Sequence, residues 1–237
     1  MAEEKDISQK AIDYIVEHKK DIAQELLNDY SSVDVPLSIF MAGSPGAGKT
    51  EWAKGLVDLL DGNIVHLDGD LFRTKLPGYE GNNSHLFQKA MSKLVSYIHD
   101  RVLDQNISFI LDGTFSDIER AKRNITRSLK RKRIVTIIYI YLHPEYAWKY
   151  TQSREKEEGR RILKDTFIQK YIGAYETVKS IRDIFSNEEV QILLVNKKEI
   201  GSTITEITSE VIPITNIKQF DKVIEKVYNN DELEQLL

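Results

Sequence analysis

The sequence Gly43-Ser44-Pro45-Gly46-Ala47-Gly48-Lys49-Thr50 lies between an apolar run, residues 37–42, and a helical pattern, residues 48–60. It matches the P-loop pattern of Gly, four residues, Gly, Lys and Ser or Thr. Glycines let backbone N–H groups converge on phosphate oxygens, and the start of the following helix adds partial positive charge. The motif therefore predicts that these eight residues bind ATP, that Lys49 bridges the β- and γ-phosphates, and that Thr50 holds Mg²⁺ through its hydroxyl.

Apolar runs alternate with helical patterns along most of the chain, which predicts an α/β fold with a mostly parallel sheet and helices on both faces. With the P-loop, this pattern indicates a P-loop kinase fold. The predicted strands are residues 37–42, 64–67, 108–111, 135–142 and 190–195. The predicted helices are residues 7–30, 48–60, 84–104, 116–132, 144–158 and 166–185.

The two ends of the chain extend this pattern. Residues 203–214 are rich in β-branched side chains and predict an edge strand or hairpin, and residues 216–237 predict one terminal helix. We expect a single domain in which residues 1–34 form a helical extension, residues 35–199 the kinase core and residues 200–237 a C-terminal appendage.

Composition excludes several classes of protein. The chain has 237 residues, a net charge of −4 and no cysteine, which excludes disulfides, cysteine–zinc sites and thiol catalysis. The acidic N-terminus does not resemble a signal peptide, and no stretch approaches the roughly 18 apolar residues that span a bilayer. We therefore expect a cytoplasmic protein with no membrane contact.

Carboxylates follow the second predicted strand as Asp68-Gly69-Asp70, with Asp70 21 residues after Lys49. Functional groups of α/β sheets lie at the carboxyl ends of the strands, which places this pair near the γ-phosphate. Asp70 is the candidate general base for a hydroxyl acceptor. The alternative is that Asp70 only caps a helix. Asp68 is expected to assist with Mg²⁺ or to shape the turn.

Two further groups of polar residues belong to the candidate site. The next strand ends in Asp112-Gly113-Thr114, where Asp112 could bind Mg²⁺ indirectly and Asp112 or Thr114 could hydrogen-bond the acceptor. Arg154, Arg160 and Arg161 surround a glycine between two predicted helices, as in a lid that closes on the γ-phosphate.

These pieces together resemble the zeta toxin family of small P-loop kinases, over roughly residues 35–195. The resemblance implies phosphorylation of the 3′-hydroxyl of a UDP-linked N-acetylated amino sugar, and a small helical antitoxin that blocks the ATP site. It implies catalytic roles for Lys49, Asp70, Arg154 and Arg161, and a sugar-nucleotide pocket lined by Asp112 and Thr114, with Asp68 beside it. The sequence departs from the family at Asp112, where glutamate is usual, and in residues 74–84.

Two other functions are consistent with the sequence. A polynucleotide 5′-hydroxyl kinase, or another RNA-directed enzyme, could use a run of eight basic residues to follow a phosphate backbone. This run comprises Arg120, Lys122, Arg123, Arg127, Lys130, Arg131, Lys132 and Arg133. The chain could also be a switch that binds ATP without turning it over.

Overall fold

A six-stranded sheet forms the centre of the computed structural model, which describes residues 2–73, 75–159, 161–199, 207–224 and 226–237. Its order is β2-β3-β1-β4-β5-β6, with the first five strands parallel and β6 antiparallel to β5. The strands are β1 (Leu37–Ala42), β2 (Val65–Leu67), β3 (Phe109–Leu111), β4 (Ile134–Leu142), β5 (Val190–Glu199) and β6 (Ile207–Pro213). The predicted α/β fold with a mostly parallel sheet is confirmed.

Nine α-helices occur within the described residues, and a 3₁₀ helix (Ser84–Phe87) precedes the fourth of them. None of the described helices is long and apolar enough to cross a membrane. The helices are α1 (Ala2–Leu27), α2 (Lys49–Leu59), α3 (Asp70–Arg73), α4 (Gln88–Asp104), α5 (Ile118–Leu129), α6 (Pro144–Glu158), α7 (Lys164–Ile184), α8 (Ile217–Val223) and α9 (Asn230–Leu236).

The C-terminal segment differs from its prediction. The single helix expected over residues 216–237 is wrong, because α8 ends at Val223 and α9 begins at Asn230. Asn229 caps α9 by accepting from the amide of Glu232, whose side chain accepts from the amide of Asn229 in return. The predicted strand of residues 203–214 is present as β6 from Ile207, and residues 203–206 lie outside the described residues.

Alternating side chains of the strands fill two hydrophobic cores, one on each face of the sheet. In β1, Phe40 and Ala42 belong to one core, while Ile39 and Met41 belong to the other. Helices α1, α4 and α5 contribute to the first core, α2 and α6 to the second, and α7 to both. Burial on both faces explains why the parallel strands are apolar at almost every position.

The last part of the basic run, residues 130–133, lies at the amino end of β4, and a nine-residue strand of about 30 Å separates it from the carboxyl ends of the strands, where the P-loop lies. Arg120, Lys122 and Arg123 lie instead near the start of α5, which follows the carboxyl end of β3. Arg133 is buried and donates from Nε to Ser38 Oγ at 2.6 Å, while Arg127 and Arg131 pair with two aspartates of α4. These three arginines serve packing and ion pairs, which disfavours a phosphate-binding surface that uses the whole basic run.

The buried imidazole of His99 in α4 gives a test of the core. It contacts the ring edges of Phe40 and Phe109, and burial, aided by the charge of Arg127, lowers the pKa of His99 to about 4. Between about pH 6.5 and pH 4, His99 therefore binds a proton in the unfolded chain but stays neutral in the folded chain. The free energy of unfolding is therefore highest above about pH 6.5 and falls as the pH falls toward 4, because protonation of His99 favours the unfolded chain.

We expect His99→Phe to remove this loss, because phenylalanine keeps the ring contacts and has no titrating group. Urea unfolding at about pH 7 and about pH 4 measures the free energy of unfolding. Between these two pH values, the wild type should lose about 3 kcal/mol more of it than the variant. His85→Phe, at an exposed histidine, is the control and should keep the wild-type dependence. An unchanged dependence in His99→Phe would contradict the prediction.

Candidate active site

Two glycines of the P-loop pack closely against the backbone of neighbouring elements. A Cβ on Gly46, which has φ of +74°, would lie 2.1 Å from the carbonyl oxygen of Ala147 in α6. A Cβ on Gly43 would lie 2.4 Å from the carbonyl oxygen of Ile140 in β4. Only glycine fits these positions, and the loop stays close enough to the sheet to direct its amides inward.

Two lysines border this loop. Lys49 Nζ donates to the Ser44 carbonyl oxygen at 2.8 Å, and Lys197 Nζ, from the carboxyl end of β5, donates to the Ala47 carbonyl oxygen at 3.0 Å. Burial lowers the pKa of Lys49 to about 8, and burial also lowers the pKa of Lys197. Lys49 thus remains mostly cationic at neutral pH. The glycine cradle and the two ammonium groups fit a polyphosphate.

Thr50 and Asp112 form the next part of the site. Thr50 Oγ1 donates to Asp112 Oδ2 at 2.8 Å, and His66 Nε2 lies 3.3 Å from the same oxygen. Burial raises the pKa of Asp112, but the His66 hydrogen bond, the Lys49 charge and the Thr50 hydroxyl outweigh burial and hold it below its usual range. A threonine hydroxyl beside an ionised carboxylate is a suitable donor set for nucleotide-bound Mg²⁺.

Asp68 and Asp70 take different places. Asp68 Oδ1 accepts from the Asp70 amide at 2.8 Å, so Asp68 shapes the turn into α3. The alternative that Asp70 is the helix cap is wrong, because Asp70 is the first residue of α3. Burial and the charges of Asp70 and Asp112 raise the pKa of Asp68. The side chain of Asp70 is 36% exposed and lies 3.2 Å from Arg73 Nη2, so its carboxylate faces an accessible space.

The predicted lid arginines are not together. Arg154 Nη2 donates at 2.8 Å to Glu51 Oε1, in the first turn of α2, beside the P-loop. Arg161 is 70% exposed and its Nε lies 3.7 Å from Glu155, so it does not join the P-loop in this conformation. Arg160 lies outside the described residues. Of the two predicted lid arginines within the described residues, Arg154 lies beside the P-loop and Arg161 does not.

Thr114 links β3 to the P-loop. Its carbonyl oxygen accepts from the Gly43 amide at 3.2 Å, and its Oγ1 lies 3.0 Å from Ser116 Oγ. Gly159, at the end of α6, packs on the segment that follows α3, where a Cβ would lie 3.3 Å from the Asn82 amide nitrogen. The segment that departs from the family pattern therefore contacts the end of α6.

Three residues at the site were missed by sequence reasoning: His66, Glu51 and Lys197. His66 alternates with Asp68 along β2, and that spacing places both on one face of a strand, which was the available signal. Glu51 gave no signal of its own, because acidic residues are common in the first turn of a helix. Lys197 was missed because β5 was predicted to end at residue 195, whereas pairing with β6 extends it to Glu199.

The family model described as Zeta toxin matches residues 20–204 of the chain. The chain belongs to the zeta toxin family. A zeta toxin of Streptococcus pyogenes is 25% identical over 133 residues, which are 53% of this chain and 46% of that protein. The toxin PezT of Streptococcus pneumoniae is 26% identical over 129 residues, 52% of this chain and 51% of that protein. The matches thus span about half the length of these zeta toxins.

Solved structures agree with the fold of a zeta toxin. A structure from the PezAT toxin–antitoxin system of Streptococcus pneumoniae superposes with a TM-score of 0.66 at 16% identity, covering 96% of this chain and 92% of that chain. An AvrRxo1-ORF1:ORF2 structure with ATP gives 0.59 at 14% identity, covering 92% of this chain and 71% of that chain. At these identities the likeness shows a shared fold.

The close approach at Gly46 predicts that Gly46→Ala distorts the P-loop. A Cβ 2.1 Å from a backbone oxygen forces a shift, so we expect nucleotide affinity to fall at least about tenfold and stability to fall by about 1–3 kcal/mol. Calorimetric titration with ATP and urea unfolding measure the two effects.

Gly55→Ala is the matched control, because a Cβ at this position of α2 would meet no atom within 4 Å beyond its own neighbouring residues and helix backbone. We expect this variant to keep nucleotide affinity and to gain about 0.5–1 kcal/mol of stability from the helix propensity of alanine. Wild-type nucleotide affinity in Gly46→Ala would contradict the proposed cradle.

Proposed function

We propose that this chain is a kinase that transfers the γ-phosphoryl group of ATP to an alcohol. The observation that carries the proposal is the arrangement of three strand ends: the P-loop after β1, its Thr50 bonded to Asp112 after β3, and the accessible Asp70 after β2. This combination supplies phosphate binding, a metal-binding hydroxyl and a base in one crevice. Residues 35–199 are the proposed kinase core.

Each side chain then has a defined role in transfer. Asp70 accepts the proton of the acceptor hydroxyl. The oxygen of that hydroxyl bonds to the γ-phosphorus, and the bond from the γ-phosphorus to the departing ADP oxygen breaks. Lys49 and the loop amides stabilise the phosphate charge, and Arg154 moves from Glu51 to the γ-phosphate when the lid closes. Thr50 and Asp112 would hold Mg²⁺, which would supply positive charge to the phosphate oxygens.

The proposed acceptor is the 3′-hydroxyl of a UDP-N-acetyl amino sugar, and the proposed role is that of a toxin held inactive by an antitoxin protein. The names of the relatives from Streptococcus support the toxin role, and the acceptor is the one that membership of the zeta toxin family implies. Asp68, Asp112 and Thr114 are the proposed contacts to the sugar nucleotide, and Arg161 is proposed to reach the phosphates in the closed lid. The proposed kinase acts in the cytoplasm.

Asp70→Asn tests the base. The amide keeps the size of the carboxylate but cannot take a proton, so we expect turnover to fall by about 10²–10⁴-fold while ATP affinity stays within about twofold. Asp58→Asn, at an exposed position of α2, is the control and should keep wild-type turnover. Wild-type turnover in Asp70→Asn would show that another group is the base.

An acceptor panel tests the substrate. The full chain is incubated with γ-labelled ATP, Mg²⁺ and, separately, UDP-N-acetylhexosamines, free nucleosides and RNA with 5′-hydroxyl ends. We expect label on the UDP-N-acetylhexosamine and loss of that label in Asp70→Asn. Label only on RNA ends would refute the sugar acceptor. ATP binding without label on any member would favour the non-catalytic switch.

A further inference from the structure

We propose that His66, Asp68 and Asp112 bind one divalent transition-metal ion, of the class of Zn²⁺, Co²⁺ or Mn²⁺, in the absence of nucleotide. One nitrogen and two carboxylate oxygens, one ligand atom from each residue, lie within 4.8 Å of one another. This ion is additional to the Mg²⁺ proposed to accompany ATP, and its binding does not depend on phosphoryl transfer.

Strand geometry brings the three residues together. His66 pairs with Ile110 in the parallel register of β2 and β3, and the Asp112 amide continues the ladder by donating to the Leu67 carbonyl oxygen at 3.0 Å. Residues two apart on a strand share a face, so Asp68 follows His66 and Asp112 follows Ile110 on the same side of the sheet. The cluster therefore rests on the sheet itself rather than on a surface loop.

The distance between two of the ligand atoms suits a small coordination sphere. His66 Nε2 and Asp112 Oδ2 are 3.3 Å apart. Two ligands of a tetrahedral ion with bonds of about 2.0–2.1 Å are separated by roughly 3.3 Å. Three protein ligands leave a fourth position for water, which is the arrangement of open metal sites.

Burial and charge also favour a cation at this place. The side chains of His66 and Asp112 are 11% and 4% exposed, and Asp68 is buried as well. Two carboxylates close together out of solvent repel each other unless a positive charge lies between them. The Lys49 ammonium acts on both carboxylates, but its hydrogen bond goes to the Ser44 carbonyl oxygen instead.

The donor set distinguishes this ion from magnesium. Imidazole nitrogen suits Zn²⁺, Co²⁺ and other transition metals, whereas Mg²⁺ requires near-octahedral oxygen ligands and keeps most of its waters. Asp112 Oδ2 also accepts from Thr50 Oγ1, so the ion and the P-loop threonine share one carboxylate. Occupancy of the site is thereby linked to the position of Thr50.

The test is calorimetric titration of the untagged full chain with Zn²⁺, after treatment with a chelator, without nucleotide and with a large excess of Mg²⁺. We expect one equivalent to bind despite the Mg²⁺. His66→Val fits the strand and removes the nitrogen ligand, and Asp68→Asn keeps an acceptor for the Asp70 amide while removing the charge. Each variant should lose at least about 100-fold in affinity, more than a supporting contact contributes.

The control is His85→Ala, which removes an exposed histidine outside the cluster and should bind like the wild type. No binding by the wild type, or wild-type affinity in the substituted chains, would overturn the proposal. Circular dichroism shows whether His66→Val folds. If this variant does not fold, the zinc affinity of Asp68→Asn tests the proposed metal site. Because nucleotide is absent, failure of this test leaves the proposed kinase reaction untouched, and failure of the kinase assays leaves this site untouched.

Discussion

The hydrogen bond from Thr50 Oγ1 to Asp112 Oδ2 joins the start of α2 to the end of β3. A second bond, from the Gly43 amide to the Thr114 carbonyl oxygen, joins the start of the P-loop to the same strand end. These two bonds hold the loop at both of its ends against one neighbouring strand. The position of the loop depends on these bonds together with the close packing of Gly43 on Ile140 and of Gly46 on Ala147.

Strand order gives this linkage its functional value. The chain passes from β1 to the outer strand β2, returns to β3 between them, and then crosses to β4 on the other side of β1. Ligands of open α/β sheets bind where such a change of direction leaves a crevice at the carboxyl ends. Asp70, Asp112 and the P-loop therefore meet in space although Lys49 and Asp112 are 63 residues apart in sequence.

Features set by local pattern were predictable, and features set by distant contacts were not. The P-loop and five parallel strands follow from glycine spacing and from apolar runs buried on both faces. The extension of β5 to Glu199 depends on pairing with β6, which no local pattern within β5 reports. The division of the last helix depends on Asn229, whose value as a cap is evident only once the chain turns there. Arginine is usually found at the surface, yet Arg133 is buried because it bonds to Ser38 and Ile107, which are distant in sequence.

Asp112 departs from the family pattern, and its contacts show how the structure accommodates the shorter side chain. Aspartate is one methylene shorter than the usual glutamate, and here its Oδ2 receives both Thr50 and His66. A carboxylate held between Thr50 of the P-loop and His66 of β2, on opposite sides of β3, has less freedom to turn toward other groups. In the proposed kinase reaction, we therefore expect selection of the acceptor to depend more on Thr114 and on the segment between α3 and α4 that Gly159 contacts.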